Sequence, residues 1–144
     1  MLKLNLGCGK SRPAGYVNID KSPTVNPDVE VDLEEGRLPY EDNSVDEIIA
    51  IHFLEHVRNI IPLMNECYRV LKSGAKMRIV VPQNEGTWCD PTHVRAFNKL
   101  SWRYFCGYPL SDTYGITCRF REASQNFAGN CDGGALTVVL EKQA

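Results

Sequence analysis

The stretch KLNLGCGKSRPAGYVNID, Lys3 to Asp20, decides how this sequence folds. Leu2, Leu4 and Leu6 alternate with Lys3 and Asn5, the period of a strand with one apolar face. Gly7-Cys8-Gly9 follows as a tight turn, and Tyr16 to Asp20 reads as a second short strand ending in an acid. Only nine residues separate the two strands, and Pro13 and Gly15 lie among them, so the connection is a loop and not a crossover helix. Gly9-Lys10-Ser11 has the letters that close a nucleotide-triphosphate P-loop. That motif also needs a glycine at Leu4 and a helix opening at the Lys-Ser pair, and neither is present. The dinucleotide fingerprint G-x-G-x-x-G fails in turn, because Arg12 stands at the third glycine.

Working outward, further strands are expected over Val29–Asp32, Glu47–Ile51, Lys76–Val81 and, after the turn residues GNCDGG, Ala135–Glu141. The link from Asp20 to Val29 carries Pro23 and Pro27 and is again too short for an ordinary helix. Two helices are expected. One runs from Asn59 to Leu71, with Ile60, Leu63, Met64, Cys67 and Leu71 on one face, Pro62 in the first turn and Gly74 after the end. The other runs from about Asn98 to Cys106 and is closed by Gly107. This order gives an α/β fold with a Rossmann-like, mostly parallel sheet, reduced helices on one face and an antiparallel last strand. The polar alternates Lys3, Asn5, Asn18, Glu30 and Arg78 agree with a helix-poor face, since strands covered on both sides are apolar on both sides. The rival architecture is a small antiparallel α+β domain.

The 144 residues are expected to form one domain. Hydrophobic content of 43% with no run near the length of a membrane helix argues against membrane insertion, and the first strand begins at Leu2 with no leader ahead of it. The cytoplasm is the expected location. A net charge of −2 without a basic cluster argues against a nucleic-acid backbone as partner. Cys8, Cys67, Cys89, Cys106, Cys118 and Cys131 form no C-x-x-C pair and read as reduced, mostly buried thiols. No metal site is expected.

Taken in order, LNLGCG, NID, VDL, LPYEDNSVDEIIAIHFLEHV and ECYRVLKSGAKMRIVVP resemble the core of the class I methyltransferases that use S-adenosylmethionine (SAM). The likeness runs from Leu2 to Pro82 and is greatest to the small branch with a shortened first crossover. It implies SAM as cofactor and methyl transfer to a small-molecule oxygen or nitrogen. It further implies that Gly7, Cys8 and Gly9 pass close to the methionine part, that Asp20 takes the ribose hydroxyls, and that Asp32 and Leu33 hold the adenine. His52 would line the cofactor site. Asn5 and Ser11 depart from the family, which usually has an acid at the first position and often a glycine at the second.

The run HFLEH, His52 to His56, also spells the inverted zinc-peptidase motif, which requires a helix and a third ligand, for which Glu122 is the best-spaced residue. On the methyltransferase reading the run sits at the rim beyond the fourth strand, where His56 is the first choice of general base, followed by His52 or His93. Glu55, Asp90 and Arg95 are then expected substrate contacts, the last two from the loop CDPTHVRAFN. Trp102, Tyr104 and Phe105 read as core. A reading from a different class is an inactive binding or scaffold protein, dimeric or partnered through the helix-poor sheet face.

Overall fold

The computed structural model describes residues 1–34, 37–130 and 132–144. Cys131 and the end of the loop after Asp32 therefore lie outside the described residues. Seven strands form one sheet in the order β3-β2-β1-β4-β5-β7-β6. They are β1 (Lys3–Leu6), β2 (Val17–Asp20), β3 (Val29–Glu30), β4 (Val45–Ile51), β5 (Leu71–Gln83), β6 (Phe120–Asn130) and β7 (Gly133–Lys142). β1 through β5 pair in parallel, while β7 runs antiparallel to both β5 and β6. The α/β fold with an antiparallel end is thus as expected, and the antiparallel α+β alternative is excluded.

One face of the sheet carries the core. Leu4, Leu6, Ile48, Met77, Ile79, Val138 and Leu140 are buried beneath the helix α1 (Ile60–Val70), which contributes Leu63, Met64, Cys67 and Val70. At the end of α1 the Lys142 amine donates to the carbonyls of Arg69 (3.3 Å) and Leu71 (2.8 Å) and to Asn43 (2.7 Å), so the orphan helix carbonyls find a donor from the last strand. The second expected helix is a six-residue 3-10 stretch, Ser101–Cys106, and not an α-helix. Trp102 and Phe105, its buried residues, stand three apart, the spacing that a turn of three residues stacks on one side.

Among the described residues the opposite face carries no crossover helix, as the short connections dictate. Across it Lys3, Glu47, Lys76, Glu141 and Arg121 stand side by side on β1, β4, β5, β7 and β6. Their charges alternate, and the outer pairs close at 2.6 Å (Lys3–Glu47) and 2.7 Å (Arg121–Glu141). Neighbouring charges of opposite sign satisfy this face within the chain. No helix among the described residues is long and apolar enough to cross a membrane. Of the described cysteines none is paired; Cys8, Cys67 and Cys118 are buried and Cys89 is exposed. Burial pushes the Cys118 thiol up to about 12.

Candidate active site

β2 and β4 flank β1 on opposite sides, so the chain's direction of travel across the sheet reverses at β1. Ligands of open α/β sheets bind outside the carboxyl ends of the strands at such a switch point. A cleft of about 260 Å³ lies there, walled by Gly7 after β1, Asp20 at the end of β2, Asp32, Leu33 and Glu34 after β3, and His52, Phe53, His56 and Val57 after β4.

The glycine turn is built by positive backbone angles at Gly7 (φ 59°) and Gly9 (φ 50°), a region that side chains disfavour. The Gly9 amide donates to Asp20 Oδ2 at 2.9 Å, and the Ser22 amide to Oδ1 at 2.9 Å, so both loops are tied to one carboxylate. Each oxygen keeps a second acceptor position. Behind the turn, Asn5 is buried and its amide donates to the Ser11 carbonyl and to Asn18 Oδ1, both at 2.9 Å. Asn18 in turn donates to Asp28 at 2.8 Å. An asparagine at position 5 therefore supplies two donors that an acid could not.

Across the cleft, β4 is followed by His52, which adopts φ 50° while its amide donates to the Val80 carbonyl at 2.9 Å. Leu54–His56 form a single 3-10 turn. The zinc-peptidase reading needs His52 and His56 on one α-helix, and that helix is absent; Glu122 lies on the edge strand β6. Glu55 is 1% exposed, and neither carboxylate oxygen finds a hydrogen-bond donor among the described residues. His52 Nδ1 lies 3.5 Å from Glu55 Oε1.

The loop Cys89–Asn98 folds over this turn. The Val94 amide donates to the Glu55 carbonyl at 2.9 Å, and Arg95 donates to the carbonyls of Val57 (2.9 Å) and Arg58 (2.6 Å). Arg95, expected to contact substrate, is spent on holding the loop down. Asp90 accepts from the Thr92 hydroxyl (2.7 Å) and amide (2.8 Å), which hold its carboxyl below the usual range. This docking brings His93 against His56, with ring centroids 4.7 Å apart.

The same bonds fix both tautomers. The only hydroxyl proton of Thr92 goes to Asp90, so Thr92 Oγ1 accepts from His56 Nδ1 at 3.0 Å. His93 Nδ1 donates to the Thr87 carbonyl at 2.5 Å. With Nδ1 the donor in both rings, Nε2 is the nitrogen left over, and in His93 it stands 3.8 Å from Asp90 Oδ2.

Residues 4–79, more than half of the chain, match a family described as a methyltransferase domain. The chain belongs to the class I SAM-dependent methyltransferases. A Mycolicibacterium smegmatis protein named "Probable S-adenosylmethionine-dependent methyltransferase/" is 28% identical over 98 residues, 60% of this chain and 38% of that protein. The sterol 4-C-methyltransferase of Caenorhabditis elegans is 31% identical over 79 residues, 54% of this chain and 23% of that protein. The chain thus matches well under half the length of either relative. In fold, a SAM-dependent methyltransferase from Archaeoglobus fulgidus superposes with a TM-score of 0.73 at 15% identity, covering 97% of this chain and 85% of that one.

The residues present fit SAM, the cofactor of this family. Gly7 lines the cleft and the space over Gly9 is open, Asp20 and Asp32 offer acceptors to hydroxyl and amino groups, and Leu33 offers an apolar wall; Cys8 and Gly9 lie outside the lining. Asp20, Asp32 and Glu34 outnumber Lys21 around the cleft, which suits a sulfonium cation. Gly7, Asp20, Asp32, Leu33, His52 and His56 of this wall were expected from the sequence; Lys21, Val31, Glu34, Phe53 and Val57 were not, and the apolar letters of HFLEHV do not distinguish the last two from core.

Proposed function

We propose that this chain, acting as one domain, transfers a methyl group to an oxygen or nitrogen of a small molecule. The observation that carries the reading is the cleft itself, with the Asp20 carboxylate on one wall and the His56 imidazole on the other. SAM, when bound, supplies an electrophilic methyl on a positively charged sulfur. The chain's share is positioning and exclusion of water. Asp20 orients the donor through its two free acceptor positions while the Gly9 and Ser22 amides hold the carboxylate still. Asp32 and Leu33 fix the other end of the donor.

An oxygen acceptor gives up a proton as it attacks. His56 Nε2 holds the lone pair that takes it, and Thr92 keeps the ring turned so that this atom is the acceptor. His93 stands behind it as the second imidazole, and His52, about half exposed at the strand end, lies where donor and acceptor meet. Glu55 lies 3.5 Å from His52 and Asp90 lies 3.8 Å from His93, and Arg95 positions the loop that carries His93.

The test is a panel of hydroxyl, amine and carboxyl acceptors with SAM, scored by formation of S-adenosylhomocysteine. Turnover with one acceptor class that falls at least tenfold in His56→Ala supports the reading. Cofactor binding with no turnover across the panel, or full turnover in a His52→Ala, His56→Ala, His93→Ala triple variant, removes the histidine base.

A further inference from the structure

Glu55, His56 and His93 bring three ligand-type atoms within 4.8 Å of one another. Their burial and hydrogen bonding make the cluster unlike a chance meeting of polar side chains. Glu55 is 1% exposed and both of its oxygens lack a hydrogen-bond donor among the described residues. An ionised carboxylate is costly to bury unless a cation or donors answer it. The two imidazoles each have the outer nitrogen already bound, His56 Nδ1 to the Thr92 hydroxyl and His93 Nδ1 to the Thr87 carbonyl, while His52 Nδ1 stands 3.5 Å from Glu55 Oε1 and Asp90 Oδ2 stands 3.8 Å from His93 Nε2. Anchoring one ring N–H on an outer oxygen, with the other nitrogen left bare, is how proteins prepare histidine as a metal ligand.

We propose that Glu55, His56 and His93 bind one divalent transition-metal ion of the zinc class. Two imidazole nitrogens and one carboxylate suit zinc, cobalt(II) or iron(II); magnesium and calcium prefer sets made of oxygen alone. Ligand atoms held at about 2.1 Å from a tetrahedral zinc stand roughly 3.4 Å apart, so the cluster closes by shifts on the order of 1 Å. Glu55 and His56 sit on a single 3-10 turn and His93 on a loop, segments able to make that adjustment. Three protein ligands leave at least one position open.

No spacing along the sequence brings this set together, because His93 comes from a separate loop, 37 positions beyond His56. This site differs from the zinc-peptidase set, in which His52 is a ligand and Glu55 is not. Binding of the ion does not depend on methyl transfer. Its role does rest on that reading: His56 also lines the cleft, so the open position would hold an acceptor's oxygen. The Nε2 lone pairs serve proton abstraction in the metal-free chain and ligation in the loaded one.

The experiment strips the whole chain of metal and equilibrates it separately with zinc, cobalt(II) and magnesium. Bound ion is counted after free ion is removed. One zinc per chain is expected, held at micromolar concentration or below, with no retained magnesium. At least a tenfold weakening is expected in both His93→Ala and Glu55→Gln. The cobalt form of the unaltered chain should show visible ligand-field bands without a sulfur-to-cobalt charge-transfer band, which excludes the cysteines without relying on any variant. Failure of the unaltered chain to hold zinc or cobalt, a thiolate band, or full binding in both folded variants overturns the site. A S-adenosylhomocysteine thermal shift on the same samples reports the folding of the variants. Its absence from the unaltered chain, with zinc still bound, would count against the methyl-transfer reading and leave the metal site standing.

Discussion

The ring of Phe53 occupies the space that a side chain on Gly7 would need, and a Cβ built there would overlap its Cδ2, Cγ and Cε2 atoms. The segment after β4 is thereby packed directly on the turn after β1, so two walls of the cleft share one contact. Gly7→Ala adds this overlap to a positive φ of 59°. We predict a loss of about 2 kcal/mol or more of stability, read by urea unfolding, and loss of S-adenosylhomocysteine binding. An alanine variant of native stability and affinity would contradict the packing.

Asp20 is predicted to serve the ligand more than the fold. Asp20→Asn keeps one acceptor oxygen for the Gly9 or Ser22 amide but loses the charge and one acceptor. Titration calorimetry should show S-adenosylhomocysteine affinity weaker by roughly 10- to 100-fold, the scale of hydrogen bonds to a charged group. The melting temperature of the free protein should move by only a few degrees.

Asn5→Asp restores the acid more usual in the family and is predicted to harm this chain. Its amide donates to two acceptors, the Ser11 carbonyl and Asn18 Oδ1, and a carboxylate would face both with lone pairs. Burial makes the mismatch worse. A destabilisation of about 2 kcal/mol or more is expected at neutral pH, measured by denaturant unfolding.

Acid should weaken the fold partly through Glu66. It accepts from the Arg69 guanidinium at 2.5 and 2.8 Å and from the Leu38 amide at 2.9 Å, and these bonds hold its carboxyl below the usual range despite burial. A folded value below the unfolded one gives stabilisation that is complete above the unfolded carboxyl range. That stabilisation is lost as pH falls through the folded value. Glu66→Gln should therefore cost about 1–3 kcal/mol near neutrality, with the gap to the parent closing in acid.

The parallel core was legible because β1, β2, β4 and β5 alternate apolar and polar residues between glycine, proline and asparagine stops. β6 was not legible: most of Phe120–Asn130 is exposed and polar, and pairing with β7 is what holds it extended. The short helix at Ser101–Cys106 was placed but mistyped, since spacing of three fits a 3-10 turn as well as one turn of α-helix. Gly7, Gly9, Asp20 and Asp32 could be read because each lies at or just beyond the carboxyl end of a strand. The meeting of His93 with His56 could not, because it depends on Arg95 and Val94 pinning a loop to the backbone of Glu55–Arg58. No spacing rule encodes that contact.

Whether this chain is a SAM enzyme turns on a thermal melt of the purified protein with S-adenosylhomocysteine, with ATP as a parallel addition. At about 100 times its dissociation constant the ligand should stabilise the fold by roughly 2.7 kcal/mol, a rise of several degrees in melting temperature. That rise is expected with S-adenosylhomocysteine, none with ATP, and a much smaller one in Asp20→Asn. An unchanged melting temperature at saturating S-adenosylhomocysteine, or an equal shift in Asp20→Asn, would contradict this expectation.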